Sequence, residues 1–249
     1  MSARAAEMLA AGDPDRFAAL MATRADLRAR LWPLYAANLE IARAPWASAE
    51  PIVAEMRLQW WVDAFAALAE EGRAPAHELG AEFADLRAEA GLLQALAEAR
   101  RWECWREPFE DQAALVDYLQ ATSGGLYWAA ARRIGAGAEA EGAVRAFGFG
   151  AGVAAWLAAV PELEARGRLP LVDGRPEAVA ALAREGLAAL ERGLAQTPAP
   201  LRAALLPGWQ ARGWLRAAAK EPARVAEGRL RGSEFGRRAG LVWQALRLG

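Results

Sequence analysis

Residues 56–65 read Met-Arg-Leu-Gln-Trp-Trp-Val-Asp-Ala-Phe. No Gly or Pro interrupts them, and Leu58, Trp61, Val62, Phe65, Leu68 and Ala69 recur at spacings of three and four. At about 100° per residue these side chains form one apolar stripe, so the spacing predicts a helix. Gln59, Asp63 and Glu70 make a second stripe, with Gln59 and Asp63 one turn apart. Trp60 lies off the main stripe. A tryptophan there implies a helix covered on more than one side, with Asp63 facing the interior and paired with Gln59, Arg57 or another arginine. The plain alternative is a core helix with a polar edge.

The rest of the chain repeats the helical signal. No segment alternates with period two, and Val, Ile and Thr are scarce beside Ala and Leu. Asp13-Pro14 has the form of a helix start, an N-cap followed by proline in the first turn. Helices are expected at about 14–21, 24–44 (with Pro33 inside), 51–71, 78–101, 111–134 (thinned at Ser123-Gly124-Gly125) and 139–160. A loop is expected at 162–175, and further helices at 176–195, 199–205, 208–219 and 234–248. Neither an internal repeat nor a low-complexity linker divides the chain. The expectation is an all-α protein with a single domain over residues 1–249.

Composition narrows the function classes. A net charge of −1 gives no electrostatic support to nucleic-acid binding. The charge is uneven, because residues 201–249 hold ten Arg/Lys against three Asp/Glu. That basic part suits an anionic membrane surface or an acidic partner, or is simply a solvated helix pair. With Cys104 as the one cysteine, no intrachain disulfide can form. His77, the one histidine, follows a proline-containing turn and is expected to be a solvated loop residue. The first twelve residues carry Arg4 and Glu7 and lack the apolar core of a secretory signal. No eighteen-residue apolar stretch is free of charge, so no membrane span is expected. These features suit a cytoplasmic protein, with peripheral contact at the inner membrane face through its basic C-terminal part.

Four segments resemble the squalene/phytoene synthase family. They are Asp13-Pro-Asp-Arg16 with residues 28–42, the tryptophan-rich stretch 56–64, Tyr118-Leu-Gln-Ala-Thr-Ser-Gly-Gly125, and Gly148-Phe-Gly-Ala-Gly running on to the Gly167-Arg-Leu-Pro170 exit. The resemblance covers most of the chain. It implies a helical bundle of the terpenoid synthase type around a central cavity, and head-to-head condensation of two prenyl diphosphates. Family enzymes carry two Asp-x-x-x-Asp motifs on facing helices. Positions i and i+4 share a helix face, so the carboxylates converge on Mg²⁺ ions that neutralise the departing diphosphate.

This chain departs from the pattern at those positions. Aligned on Tyr35, the first acidic pair falls near Ala42 and Arg43; aligned on Gly167-Arg168, the second falls near Ala159 and Leu163. No Asp-x-x-x-Asp occurs anywhere, and the acidic ladder Glu78, Glu82, Asp85, Glu89 reads as a solvated face. A non-catalytic branch of the family, the mitochondrial complex I assembly factor, is similar in its Arg-Leu-Gln-Trp-Trp stretch and its incomplete acidic motifs. The resemblance therefore implies a binding or assembly factor with a protein partner or a prenyl lipid, no catalytic residue and no metal. The alternative is an active, Mg²⁺-dependent prenyltransferase of the phytoene/squalene synthase class. Candidate cavity or ligand residues are Tyr35, Asn38, Arg57, Gln59, Trp60, Asp63, Tyr118, Ser123 and Arg168. Arg57, Gln59 and Asp63 fit either a cavity-lining trio or a buried network fixing helix packing. Arg132, Arg133, Arg166 and Arg168 fit either phosphate ligands or solvated helix ends.

Overall fold

The structure is a computed structural model and describes residues 3–231 and residue 241. Among the described residues there is no strand. The chain opens with α1 (Ala3–Gly12), α2 (Pro14–Met21) and α3 (Ala25–Arg43). Asp13 caps α2 as expected, its carboxylate accepting from the Arg16 amide at 3.1 Å. Pro33 sits within α3 without ending it. A short 3-10 turn, Ala44–Trp46, leads to α4 (Pro51–Glu71), the tryptophan-rich helix. Its stripe is in phase: Leu58, Trp61, Val62, Phe65 and Leu68 are buried, and Gly72 ends the helix at φ 72°.

The second stripe of α4 is not covered. Trp60 is 40% exposed, and Arg57, Asp63 and Glu70 face solvent. Asp63 does pair with Gln59, which donates to it at 2.6 Å, but the pair lies on the outside. The expectation of an interior Asp63 is therefore corrected. Trp60 is accommodated by lying edge-on against Trp61, with ring centroids 4.6 Å apart, and not by a second helix.

The segment expected as one helix over 78–101 is four pieces: α5 (Gly80–Phe83), a 3-10 run (Ala84–Glu89), α6 (Ala90–Ala99) and a 3-10 run (Arg100–Cys104). In a 3-10 helix positions three apart eclipse. That lets Phe83, Leu86 and Glu89 all turn inward. Glu89 meets Arg133 at 3.2 Å and so leaves the acidic ladder, of which Glu78 and Asp85 remain exposed as expected. His77 is likewise no free loop residue. It stacks on Phe83 with centroids 5.4 Å apart, touches Trp61, and places Nε2 3.7 Å from Glu40.

The thinning expected at Ser123-Gly124-Gly125 is a π-helical turn, Gln120–Gly124, between α7 (Gln112–Leu119) and α8 (Gly125–Arg133). After a 3-10 turn, Ala138–Ala140, comes the central helix α9 (Glu141–Ala165), which continues past Pro161 into the segment expected as loop. By length and composition alone residues 138–165 are apolar enough to cross a membrane, but most of that window is buried inside the fold and no eighteen of these residues are free of charge. Its main neighbour is α10 (Pro176–Gln196). Glycines let the two backbones touch: a Cβ on Gly150 would strike the Gly186 carbonyl, and one on Gly193 would strike Phe147 of α9. A 3-10 run (Ala199–Gly208), α11 (Ala211–Lys220) and α12 (Ala223–Ala226) close over α9. Apart from residue 241, the helix expected at 234–248 lies outside the described residues.

Candidate functional site

The junction of α1 and α2, the C-terminal half of α3, the π-helical turn and the C-terminal half of α9 surround a cavity of about 800 Å³. A second chamber of about 770 Å³ adjoins it toward α11, and Gly12, Asp13, Arg16, Ser123 and Ala155 line both. Leu39, Leu119, Leu126, Trp156 and Leu163 supply apolar wall. Volumes of this order suit a small-molecule site with few polar groups among many apolar ones.

The polar groups are mostly arginine–carboxylate pairs. Arg16 meets Asp13 at 2.7 Å and lies over the Tyr35 ring, 5.2 Å from its centroid. Arg100 meets the buried Glu103 at 2.5 Å, and the Tyr118 hydroxyl donates to the same oxygen at 2.5 Å. Arg166 meets Glu162 at 2.7 Å, and Arg43 meets Glu40 at 3.1 Å. The Tyr118 hydroxyl is held well above its ordinary pKa, first by burial and then by the negative Glu103. Burial raises Tyr35 and Tyr127 as well. Several buried polar atoms near the cavity have no partner among the described residues: the Tyr35 hydroxyl, Asn38 Oδ1, Arg100 Nε and Gln210 Oε1.

Of the residues nominated by sequence, Asn38, Tyr118 and Ser123 line the main cavity. Ser123 donates to the Gly148 carbonyl at 2.8 Å, tying the π-helical turn to α9. Tyr35 is buried behind the wall, beneath Arg16. Arg57, Gln59, Trp60 and Asp63 lie outside the cavity, on the open side of α4. Gln59 instead accepts from Arg101 and donates to Asp63. Arg168 lines a separate, smaller cleft beside Trp46. Arg133 is structural, bonding the Arg30 and Asp85 carbonyls and Glu89. Sequence reasoning missed Arg16, Arg43, Arg100 and Glu103. Asp13/Arg16 and Arg100/Glu103 each stand three apart, a spacing that announces a local ion pair but not a cavity wall.

The positions aligned with the acidic pairs do reach the cavity: Ala42, Arg43, Ala159 and Leu163 all line it. Two are alanine, one is leucine and one is a cation. The wall carboxylates Asp13, Glu103 and Glu162 are each already engaged by an arginine. Among the described residues no three His, Cys, Asp or Glu side chains group closely enough to hold a metal ion. The donor set therefore does not fit the Mg²⁺ ions that the alternative, an active prenyltransferase, requires.

Comparison with known proteins agrees with this architecture. A solved dehydrosqualene synthase, crystallised in complex with a ligand, superposes with a TM-score of 0.78 over 99% of this chain and 95% of its own, at 13% identity. That likeness establishes the fold, a helical bundle of the terpenoid synthase type. A sequence search of curated proteins gives no match. The squalene/phytoene synthase family profile matches residues 9–173, about two thirds of the sequence, so the chain belongs to the squalene/phytoene synthase family.

Proposed function

We propose that this protein is a non-catalytic member of its family that binds an apolar ligand in its cavity and acts as a binding or assembly factor. The observation that carries the reading is the identity of the four cavity positions Ala42, Arg43, Ala159 and Leu163. Ionising a prenyl diphosphate requires compensation of the charge on the leaving group. Here the aligned positions offer no carboxylate for a metal. The apolar walls and the unpartnered Asn38 Oδ1 suit a prenyl lipid with a polar head. At the level of partners, the resemblance of the tryptophan-rich stretch to the complex I assembly branch suggests a role in building respiratory complex I.

The test is turnover. Purified protein is incubated with farnesyl or geranylgeranyl diphosphate, Mg²⁺ and NADPH, and inorganic diphosphate is measured. The expected result is no metal-dependent release, together with a prenyl lipid recovered by organic extraction of the purified protein. Sustained Mg²⁺-dependent formation of squalene or phytoene would establish the second reading, an active prenyltransferase. One observation favours that alternative: Arg16, Arg43, Arg100 and Arg166 line the cavity, and a diphosphate that displaced their carboxylate partners would take up their charge.

A further inference from the structure

Large apolar side chains are rarely left in water side by side. Among the described residues, seven are exposed, and five of these lie on adjoining segments. Ile52, Met56 and Trp60 are 63%, 68% and 40% exposed, and their spacing of four aligns them along α4. Trp105 stands beside them, its indole N–H donating to Glu55 of α4 at 3.2 Å. The Trp105 carbonyl accepts from Arg168, and exposed Leu169 follows. The apolar stripe of α4 thus runs beside a rim made by the segments at 105–106 and 166–169.

Within that rim is a cleft of about 370 Å³ lined by Trp46, Ser48, Cys104, Arg106, Arg166 and Arg168, with Pro45, Ala49 and Pro51 at its edge. Arg166 and Arg168 both lie over the Trp46 ring, 4.6 and 5.4 Å from its centroid. Arg166 is neutralised by Glu162. Neither Arg106 nor Arg168 meets a carboxylate among the described residues, and Arg168 Nε is buried without a partner. Burial first, and the neighbouring Arg106 second, lower the Arg168 pKa, outweighing the opposing influence of Cys104 and Glu103. Glu55, the carboxylate beneath the apolar stripe, is engaged by Arg101 and Trp105.

We infer that this face docks on an anionic lipid bilayer, with Arg106 and Arg168 taking a lipid phosphate while Ile52, Met56, Trp60, Trp105 and Leu169 enter the interfacial region. Charge complementarity selects this occupant. Two neighbouring guanidinium groups with no carboxylate in contact attract an anion, and a phosphate matches the guanidinium fork. Tryptophans bordered by aliphatic side chains and arginines are the composition of a membrane-interface contact. Trp46 and Arg166 line both this cleft and the main cavity, so the docked surface adjoins the cavity wall. The docking stands whether or not the cavity carries a prenyl lipid.

The test is co-sedimentation of the full chain with vesicles of phosphatidylcholine alone and of phosphatidylcholine mixed with phosphatidylglycerol. Binding is expected only to the mixed vesicles, with a blue shift of tryptophan emission. Arg106→Ala should weaken partitioning about fivefold, the contribution of one basic residue at an anionic surface. Met56→Ser should weaken it severalfold, while Arg132→Ala, outside this face, should leave it unchanged. All three positions are exposed, so circular dichroism should match the parent protein. Three results would overturn the inference: no partitioning to anionic vesicles; partitioning that Arg106→Ala and Met56→Ser leave intact, which would assign it to another surface; or a concentration-dependent dimer that Met56→Ser abolishes. Binding of inorganic phosphate without vesicle binding would equally exclude the bilayer.

Discussion

The Tyr118 hydroxyl donates to Glu103 at 2.5 Å, and the same carboxylate oxygen takes Arg100 at 2.5 Å. Glu103 is 5% exposed, so its charge is compensated by these two groups and not by water. Removing one donor strands part of a buried charge. Tyr118→Phe should therefore cost about 1–3 kcal/mol. Glu103→Ala, which leaves Arg100 without its partner, should cost about 3–5 kcal/mol. Urea denaturation monitored by circular dichroism measures both. Equal, negligible losses would show that the triad is exposed to water.

The pH dependence follows from the tyrosines. The chain has three, and the pKa of each is raised, with burial the leading cause. In the unfolded chain they ionise near about pH 10. The folded state resists that ionisation, so above this pH the unfolded state loses protons that the folded state keeps. Stability is fully present below about pH 10 and falls as pH rises beyond it. Tyrosinate absorbance should stay flat through about pH 10 and then rise together with loss of helical signal. A separate tyrosine titration before unfolding would contradict the burial.

Adjacent tryptophans on α4 should behave oppositely. Trp61 is 5% exposed, stacks on Phe65 at 5.5 Å and touches Phe83 and His77. Trp61→Ala should cost about 3–5 kcal/mol. Trp60→Ala should cost about 1 kcal/mol or less, because its site is open to solvent. The two chemical midpoints, measured side by side, check the helix phase.

These two residues also mark how far the sequence could be read. Spacing gave the buried face of α4 correctly, because a period of 3.6 is a property of the helix itself. Whether a second face is covered depends on where other helices go, and Trp60 carried no information about that. Treating a tryptophan as evidence of coverage turned Asp63 inward when it faces out, while Gln59 is half-buried against Arg101. The same gap explains His77 and Glu89. His77 is defined by Phe83 and Trp61, and Glu89 by Arg133, contacts that only the folded chain makes. In the cavity, the family motifs located Ala42, Arg43, Ala159 and Leu163 along the chain. Arg100 and Glu103 were hidden because the spacing placed Arg100 at the end of a regular helix over 78–101 and Glu103 beyond it, whereas both sit in one 3-10 run that tertiary packing fixes.

The packing of α9 on α10 gives a sharper contrast. A methyl group at Gly150 would meet the Gly186 carbonyl and the Leu190 backbone, neither of which can swing aside. Gly150→Ala should destabilise by about 1–3 kcal/mol. Gly142, near the start of the same helix, has no atom within 4 Å of the added Cβ. There the alanine should stabilise by about 0.4–1 kcal/mol through the unfolded chain. Thermal melts of the two variants should shift in opposite directions.

Tyr118 and Ser123 stand five positions apart and both line the cavity. In an unbroken α-helix that separation would point them about 140° apart. The π-helical turn at Gln120–Gly124 accommodates one residue beyond what helix continuity needs. Deleting a single residue there would let α7 and α8 rewind into one regular helix. Side chains after the turn would then keep their phase, whereas rewinding it with all its residues kept would rotate every one of them by about 100°, carrying Leu126 off the cavity wall and Arg133 away from Glu89. The outline of the chamber is thus encoded partly in the width of one helical turn and not only in residue identities, and one in-frame codon gained without a second such turn could re-line it without a single substitution.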